Sequence, residues 1–291
     1  MSSKYHNTTT AMKKIAFFFS LALASFQMAA QRGNPNSSME LGGSIGLSTY
    51  MGDLSKSPYG DFKIGDFSLG ALFRYNFSER FAIRLHLDLM NVHGDDAVTG
   101  DANRNLSFRS SLYEFGGMLE FNILPLIPDE GQRIAPYIFA GVSMFGFNPE
   151  GQDSRGNWVA LAPLGTEGQY PTSTPTTKDP YPYGTTSLAI PVGAGVRYAI
   201  TDNLLVGLEV GFRYTGTDYL DDVSTVYPDF TRLSTEARVF SNRTPADKVQ
   251  PLPGSARGDA NTNDFYLNTA VTLSYRFSGF GGGGRMGCPT F

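Results

Sequence analysis

Residues 264–277 read DFYLNTAVTLSYRF, and the spacing inside this run decides the fold. Phe265, Leu267, Val271, Leu273, Tyr275 and Phe277 take one set of alternate positions, with Thr269 as a polar interruption. Asn268, Ala270, Thr272, Ser274 and Arg276 take the other. A period of two marks a strand with one apolar and one polar face. A soluble sandwich would explain one such run. It explains less well seven more of them, with full charges on the polar face.

Those seven lie at 39–50, 67–77, 80–91, 112–123, 135–147, 188–200 and 204–214. The run at 80–91 is the cleanest: Phe81, Ile83, Leu85, Leu87 and Leu89 alternate with Ala82, Arg84, His86 and Asp88. Each segment is long enough for a tilted strand to cross an outer membrane, where roughly 9–11 residues suffice. A charge on the lipid face would cost about 2–4 kcal/mol near the midplane. The charges keep to the other face: Glu40, Asp88, Glu114, Glu120 and Glu209 against Arg74, Arg84, Arg197, Arg213 and Arg276. The expected fold is an eight-stranded antiparallel transmembrane up-and-down β-barrel with long extracellular loops. Its interior is just wide enough to be filled by side chains, so the ten charges are expected to pair into an ionic plug.

Connections alternate short and long. Ser78-Glu79, 125–133 and Thr201-Asp202-Asn203 are short; 148–187 and 215–263 are far longer than an ordinary loop. Short turns belong to the periplasmic side of such barrels, which puts both chain ends there. The two longest loops are expected to carry function or short hairpin extensions.

The ends add to this reading. Lys13 and Lys14 precede an apolar run at 15–26 that closes on small residues at Ala29-Ala30. That is a secretory signal peptide over 1–30, too short to span as a helix, with Met12 as an alternative start. No cysteine stands at the end of its apolar run, so no lipid anchor is expected. The barrel is expected over 31–277, and a glycine-rich periplasmic tail over 278–291. The single cysteine, Cys288, lies in that tail; in an exported chain it is either half of an intermolecular disulfide or a free thiol. The net charge of −4 leaves no footprint for nucleic acid, and mean hydropathy of −0.19 suits a barrel whose loops and lumen dilute its apolar face.

Chemistry-bearing patterns are sparse. Asp218, Asp221 and Asp222 could offer oxygens to calcium, but their spacing is not that of an EF-hand loop, and they read as a polar turn. Asp95, Asp96 and Asp101 read as solvated loop acids. His86 falls on the lumen side and lacks a nucleophile motif; His93 has no marked partner. No phosphate loop, dinucleotide fingerprint or zinc spacing occurs, so neither cofactor, metal nor enzymatic activity is expected.

Several stretches together carry a resemblance: GGSIGLSTYMGDL (42–54), RNLSFRS (104–110), EFNILP (120–125), LGTEGQ (164–169), TDYLDDVS (217–224) and the closing strand. The chain resembles the PorG family, outer-membrane barrel subunits of the type IX secretion system of Bacteroidetes, over nearly all of its mature length. The resemblance implies a non-enzymatic part of a protein export and gliding apparatus. Its implied partners are a periplasmic ring lipoprotein (PorK-like), a ring protein (PorN-like) and outer-membrane lipids. It also implies that Cys288 bonds to the ring lipoprotein, with the 125–133 turn as a further docking face. The rival expectation is an autonomous small barrel that binds or transports a hydrophobic ligand or lipid through its long loops.

Overall fold

The computed structural model describes residues 37–55, 65–99, 103–169 and 183–278. The segment expected to be a signal peptide, the 279–291 stretch with Cys288, Asp101, and part of the 148–187 loop lie outside them. Among the described residues nine strands form: β1 (Ser38–Met51), β2 (Asp66–Asn76), β3 (Phe81–Asp95), β4 (Ser107–Asn122), β5 (Ile134–Gln152), β6 (Trp158–Ala160), β7 (Thr186–Ala199), β8 (Leu204–Thr215) and β9 (Phe265–Ser278). Neighbours along the chain pair antiparallel except β6 and β7, β5 pairs with β7, and β1 pairs with β9 over its full length, Ser38 to Met51. All but β6 thereby close into an eight-stranded barrel. β6 pairs only with the end of β5 and makes a short hairpin beyond the wall.

The pleat sorts the side chains as the period of two requires. Leu41, Ile45, Phe67, Leu69, Leu85, Leu87, Phe115, Val142, Leu188, Leu208, Val271 and Leu273 are exposed on the outer wall. Aromatic residues gather toward both ends of this belt, with Phe81, Tyr198, Tyr275 and Phe277 at the short-turn end and Phe67, Tyr113 and Tyr214 at the other. So large a continuous apolar surface is foreign to a soluble monomer; it is the outer face of a transmembrane barrel.

Inside, the weakest alternation in the sequence, that of β5, has a physical reason. Its inward residues include Tyr137, Phe139, Phe145 and Phe147, all buried, so both faces of the strand are apolar. The rings need space on the neighbouring strand, β7, where Gly193 and Gly195 stand directly across from Phe139 and Tyr137. A Cβ at Gly193 would come within 2.3 Å of the Phe139 ring, and one at Gly195 within 2.6 Å of Tyr137. The inward glycines of β7 make room for the aromatics of β5.

β3, β4 and β5 run several residues past the ends that alternation suggests, and the long loops fold onto this raised rim. Two short helices appear there, α1 (Asp96–Thr99) and α2 (Thr235–Ser241). Ser234 Oγ accepts the Ala237 N–H at 3.1 Å and caps α2. Ser234→Ala should cost about 1 kcal/mol of local stability, read as faster amide exchange in α2 with no change in the strands.

Candidate functional site: an ionic lumen under a closed cap

The ten charges picked out by alternation meet inside the barrel, and all but Arg276 are buried. Near the short-turn end Glu40 faces Arg74 across the β1–β2 pair and Arg276 across β1–β9. Arg74 donates to Glu40, and Arg276 Nη2 lies 3.0 Å from Glu40 Oε1. Glu120 is the hub. Arg74 Nε, Arg84 Nε and Arg197 Nη1 stand 2.8, 3.0 and 3.1 Å from its oxygens. Arg84 also pairs with Glu209, which accepts the Tyr137 hydroxyl at 2.7 Å. The guanidiniums of Arg84 and Arg197 lie over the rings of Phe139 and Tyr137, at 4.9 and 4.3 Å, which adds cation–π attraction.

A second layer lies nearer the long loops. His86 Nε2 is 2.9 Å from Glu114 Oε1, and Arg213 stands 3.7 Å from Asp88 and 3.5 Å from Glu114. Tyr266 donates to Glu114 at 2.7 Å. Among the described residues His86, Asp88 and Glu114 put three ligand-type atoms within 4.8 Å of one another. Arg213 already supplies the cation there, so the group is an ion cluster. The Nδ1 of His86 has no hydrogen-bond partner, so the serine–histidine bond of an acyl-transfer site is not made. A cavity of about 20 Å³ beside Ser44, Arg84 and His86 has room for one water.

Above these layers the lumen turns apolar. Met90, Val92, Phe108, Leu112, Phe145 and Phe147 from the walls pack with Leu161, Leu220, Val223 and Phe240 from the loops. This cap corrects two expectations. Asp221 and Asp222 are not a solvated turn: they are 1 % and 0 % exposed. Asp222, at φ 66° in the left-handed region that Asp tolerates better than most residues, accepts Thr166 Oγ1 and Tyr183 Oη. Asp96 is not a loop acid in water either. It is fully buried, accepts the Leu106 N–H, and holds Arg104 by both oxygens at 2.7 and 2.8 Å. Arg104 in turn donates to the carbonyls of Asp53 and Arg257, stitching three loops together. Arg257 bridges Glu167 and Asp222. His93 also gains a partner, Asp66 Oδ2 at 2.6 Å.

The cap holds more acid than base, and the titration of its carboxyls reflects that. Burial pushes Asp222 up to about 6, against the pull of Arg257. Burial, with Asp53, Glu167 and Asp259 adding like charge, pushes Asp218 up to about 7. The signal for this cap was present in the sequence as LGTEGQ and TDYLDDVS, whose Thr166, Glu167, Asp221 and Asp222 are among its buried polar residues. Nothing in their spacing said that they face each other.

No curated protein matches the chain. Among solved structures, Neisserial surface protein A is similar at 13 % identity and a TM-score of 0.41, covering 83 % of this chain and 99 % of its own. A major outer membrane protein of Thermus thermophilus is similar at 11 % identity and 0.40, covering 82 % and 99 %. The outer membrane protein OprG of Pseudomonas aeruginosa is similar at 12 % and 0.39, covering 84 % and 97 %. Residues 13–154 and 167–238 match a family model described as "Domain of unknown function (DUF6089)", which is most of the chain, and the protein belongs to that family.

Proposed function

We propose that this protein is a non-enzymatic outer-membrane barrel whose working parts are its two ends, and that it anchors the periplasmic ring of a type IX secretion system. The observation that carries the first half is the filled lumen: ion pairs span its cross-section and a packed apolar cap lies above them, so the barrel offers a fixed address in the membrane and no passage. Both β1 and β9 have their outer chain ends, Ser38 and Ser278, paired at the short-turn end. A cleaved segment at 1–30 and a tail at 278–291 would both join the barrel there, on the periplasmic side. Cys288 follows Ser278 by ten residues in sequence. The second half rests on the resemblance of the quoted motifs to PorG-type subunits, which supplies the ring lipoprotein and ring protein as partners and Cys288 as the point of attachment.

The test is recovery of the tagged protein from cell envelopes with and without reductant. An adduct with a periplasmic lipoprotein is expected, lost on reduction and absent in Cys288→Ser. A ring partner that persists in Cys288→Ser keeps the anchor and removes the disulfide. Recovery of no periplasmic partner overturns the anchor.

One observation favours a second reading, capture of a hydrophobic partner at the long-loop end. Val249 and Leu252 stand 94 % and 74 % exposed on the cap. Removing residues 247–253 would abolish function under that reading and leave ring attachment intact under the first.

A further inference from the structure

Three oxygens stand in a row beneath the 216–264 loop. Tyr50 Oη lies 2.6 Å from Asp221 Oδ2 and 2.8 Å from Asp264 Oδ1. The other oxygen of each carboxyl is already taken: Val223 N–H donates to Asp221 Oδ1 and Leu220 N–H to Asp264 Oδ2, both at 2.9 Å. All three side chains are buried. A phenol hydroxyl carries one proton, so it can donate to one carboxylate only. The other short contact would then set lone pair against lone pair, unless that carboxyl brings a proton of its own. Two hydrogen bonds need two protons, and Tyr50 supplies one.

We propose that Asp221 and Asp264 together hold one proton, relayed through the Tyr50 hydroxyl, and that this proton latches the 216–264 loop down over the barrel mouth. The placement gives it that role. Tyr50 lies at the end of β1, Asp264 immediately precedes β9, and Asp221 sits in the loop, so the chain of oxygens ties the loop to two adjacent strands. Asp53, from the β1–β2 connection, and Asp218, from the same loop, face the pair with like charge. Arg104, from the β3–β4 connection, is the cation whose field reaches Asp221, but its donors are committed to Asp96 and to backbone carbonyls.

Burial first, and then the neighbouring carboxylates, hold Asp221 and Asp264 well above the usual range. The sign follows. An acid raised on folding contributes its full stability below its unfolded pKa, and loses it as pH rises through the folded value. Without the shared proton two like charges are buried at either end of one hydroxyl, and the loop must lift to hydrate them. This contact therefore tightens in acid and loosens in alkali, the reverse of ion pairs such as Arg104–Asp96 and Arg257–Glu167 that also hold the cap. This holds whether or not the barrel anchors a ring.

The experiment is hydrogen–deuterium exchange on the folded, full-length protein in detergent across a pH series, corrected for intrinsic exchange, with infrared spectra of the carboxyl stretch. In the wild type, protection of the Leu220 and Val223 amides should fall about tenfold or more from acid to alkali while strand amides hold. A protonated-carboxyl band should persist at alkaline pH, beyond the range in which Asp218 and Asp222 lose their protons. In Asp264→Asn the amide nitrogen donates to Tyr50 for good while its oxygen still accepts the Leu220 N–H. The band should vanish and the alkaline loss of protection with it. Absence of the band in the wild type, or an equal alkaline loss in Asp264→Asn, overturns the proposal. Asp221→Asn repeats the test from the other end if the first variant does not fold.

Discussion

Glu120→Leu is expected to destabilise the barrel by about 3–5 kcal/mol, the usual cost of breaking a buried ion pair from one side. The reason is the number of cations that depend on it. Arg74, Arg84 and Arg197 all direct a nitrogen at this one carboxylate, which is 0 % exposed. Arg74 and Arg84 also face each other directly across the β2–β3 pair. Like charges in that register are destabilising, and Glu120 is the group that lies between them. Leucine fills the space but leaves the guanidiniums in a low-dielectric lumen with too few acceptors. Urea unfolding in detergent micelles should show a lower midpoint at unchanged slope, since the area exposed on unfolding stays the same. Glu120→Gln, whose amide oxygen can still accept from Arg74, should fall between. A leucine variant as stable as the wild type would mean that water hydrates the arginines and that the lumen is not sealed.

Leu85→Arg should cost about 2–4 kcal/mol when the protein folds into a lipid bilayer. Leu85 lies midway along the outward run of β3 from Phe81 to Leu89, so its side chain sits near the middle of the apolar belt. An arginine there must thin the bilayer or snorkel past Phe81 or Leu89 to reach water. The same change at Val249, exposed on the cap, should stay within about 0.5 kcal/mol. Equal effects at the two positions would mean that the belt does not sit in hydrocarbon. One step along the strand the logic inverts: Arg84 is required inside, because its partners Glu120 and Glu209 are there.

Much of this architecture is legible in one dimension. The alternation in 80–91 and 264–277 names the lumen residues, and the lengths of the connections tell the short-turn end from the long-loop end. The cap is different. Asp96 and Asp101 look alike as loop acids, and only the fold shows that Asp96 is buried around Arg104. TDYLDDVS reads as polar, yet Leu220 and Val223 are core residues and Asp221 shares a tyrosine with Asp264, over forty positions away. Loops lack a period, so nothing local separates a buried acid from a solvated one.

The sequence by itself determined which side chains share the lumen and which face lipid, because a pleated strand turns every second residue the same way. Which of them touch was decided by closure. Glu120 meets Arg197, and Arg84 meets Glu209, across the barrel between strands that are not neighbours. Those contacts depend on the register and curvature of the whole ring, which no single strand contains.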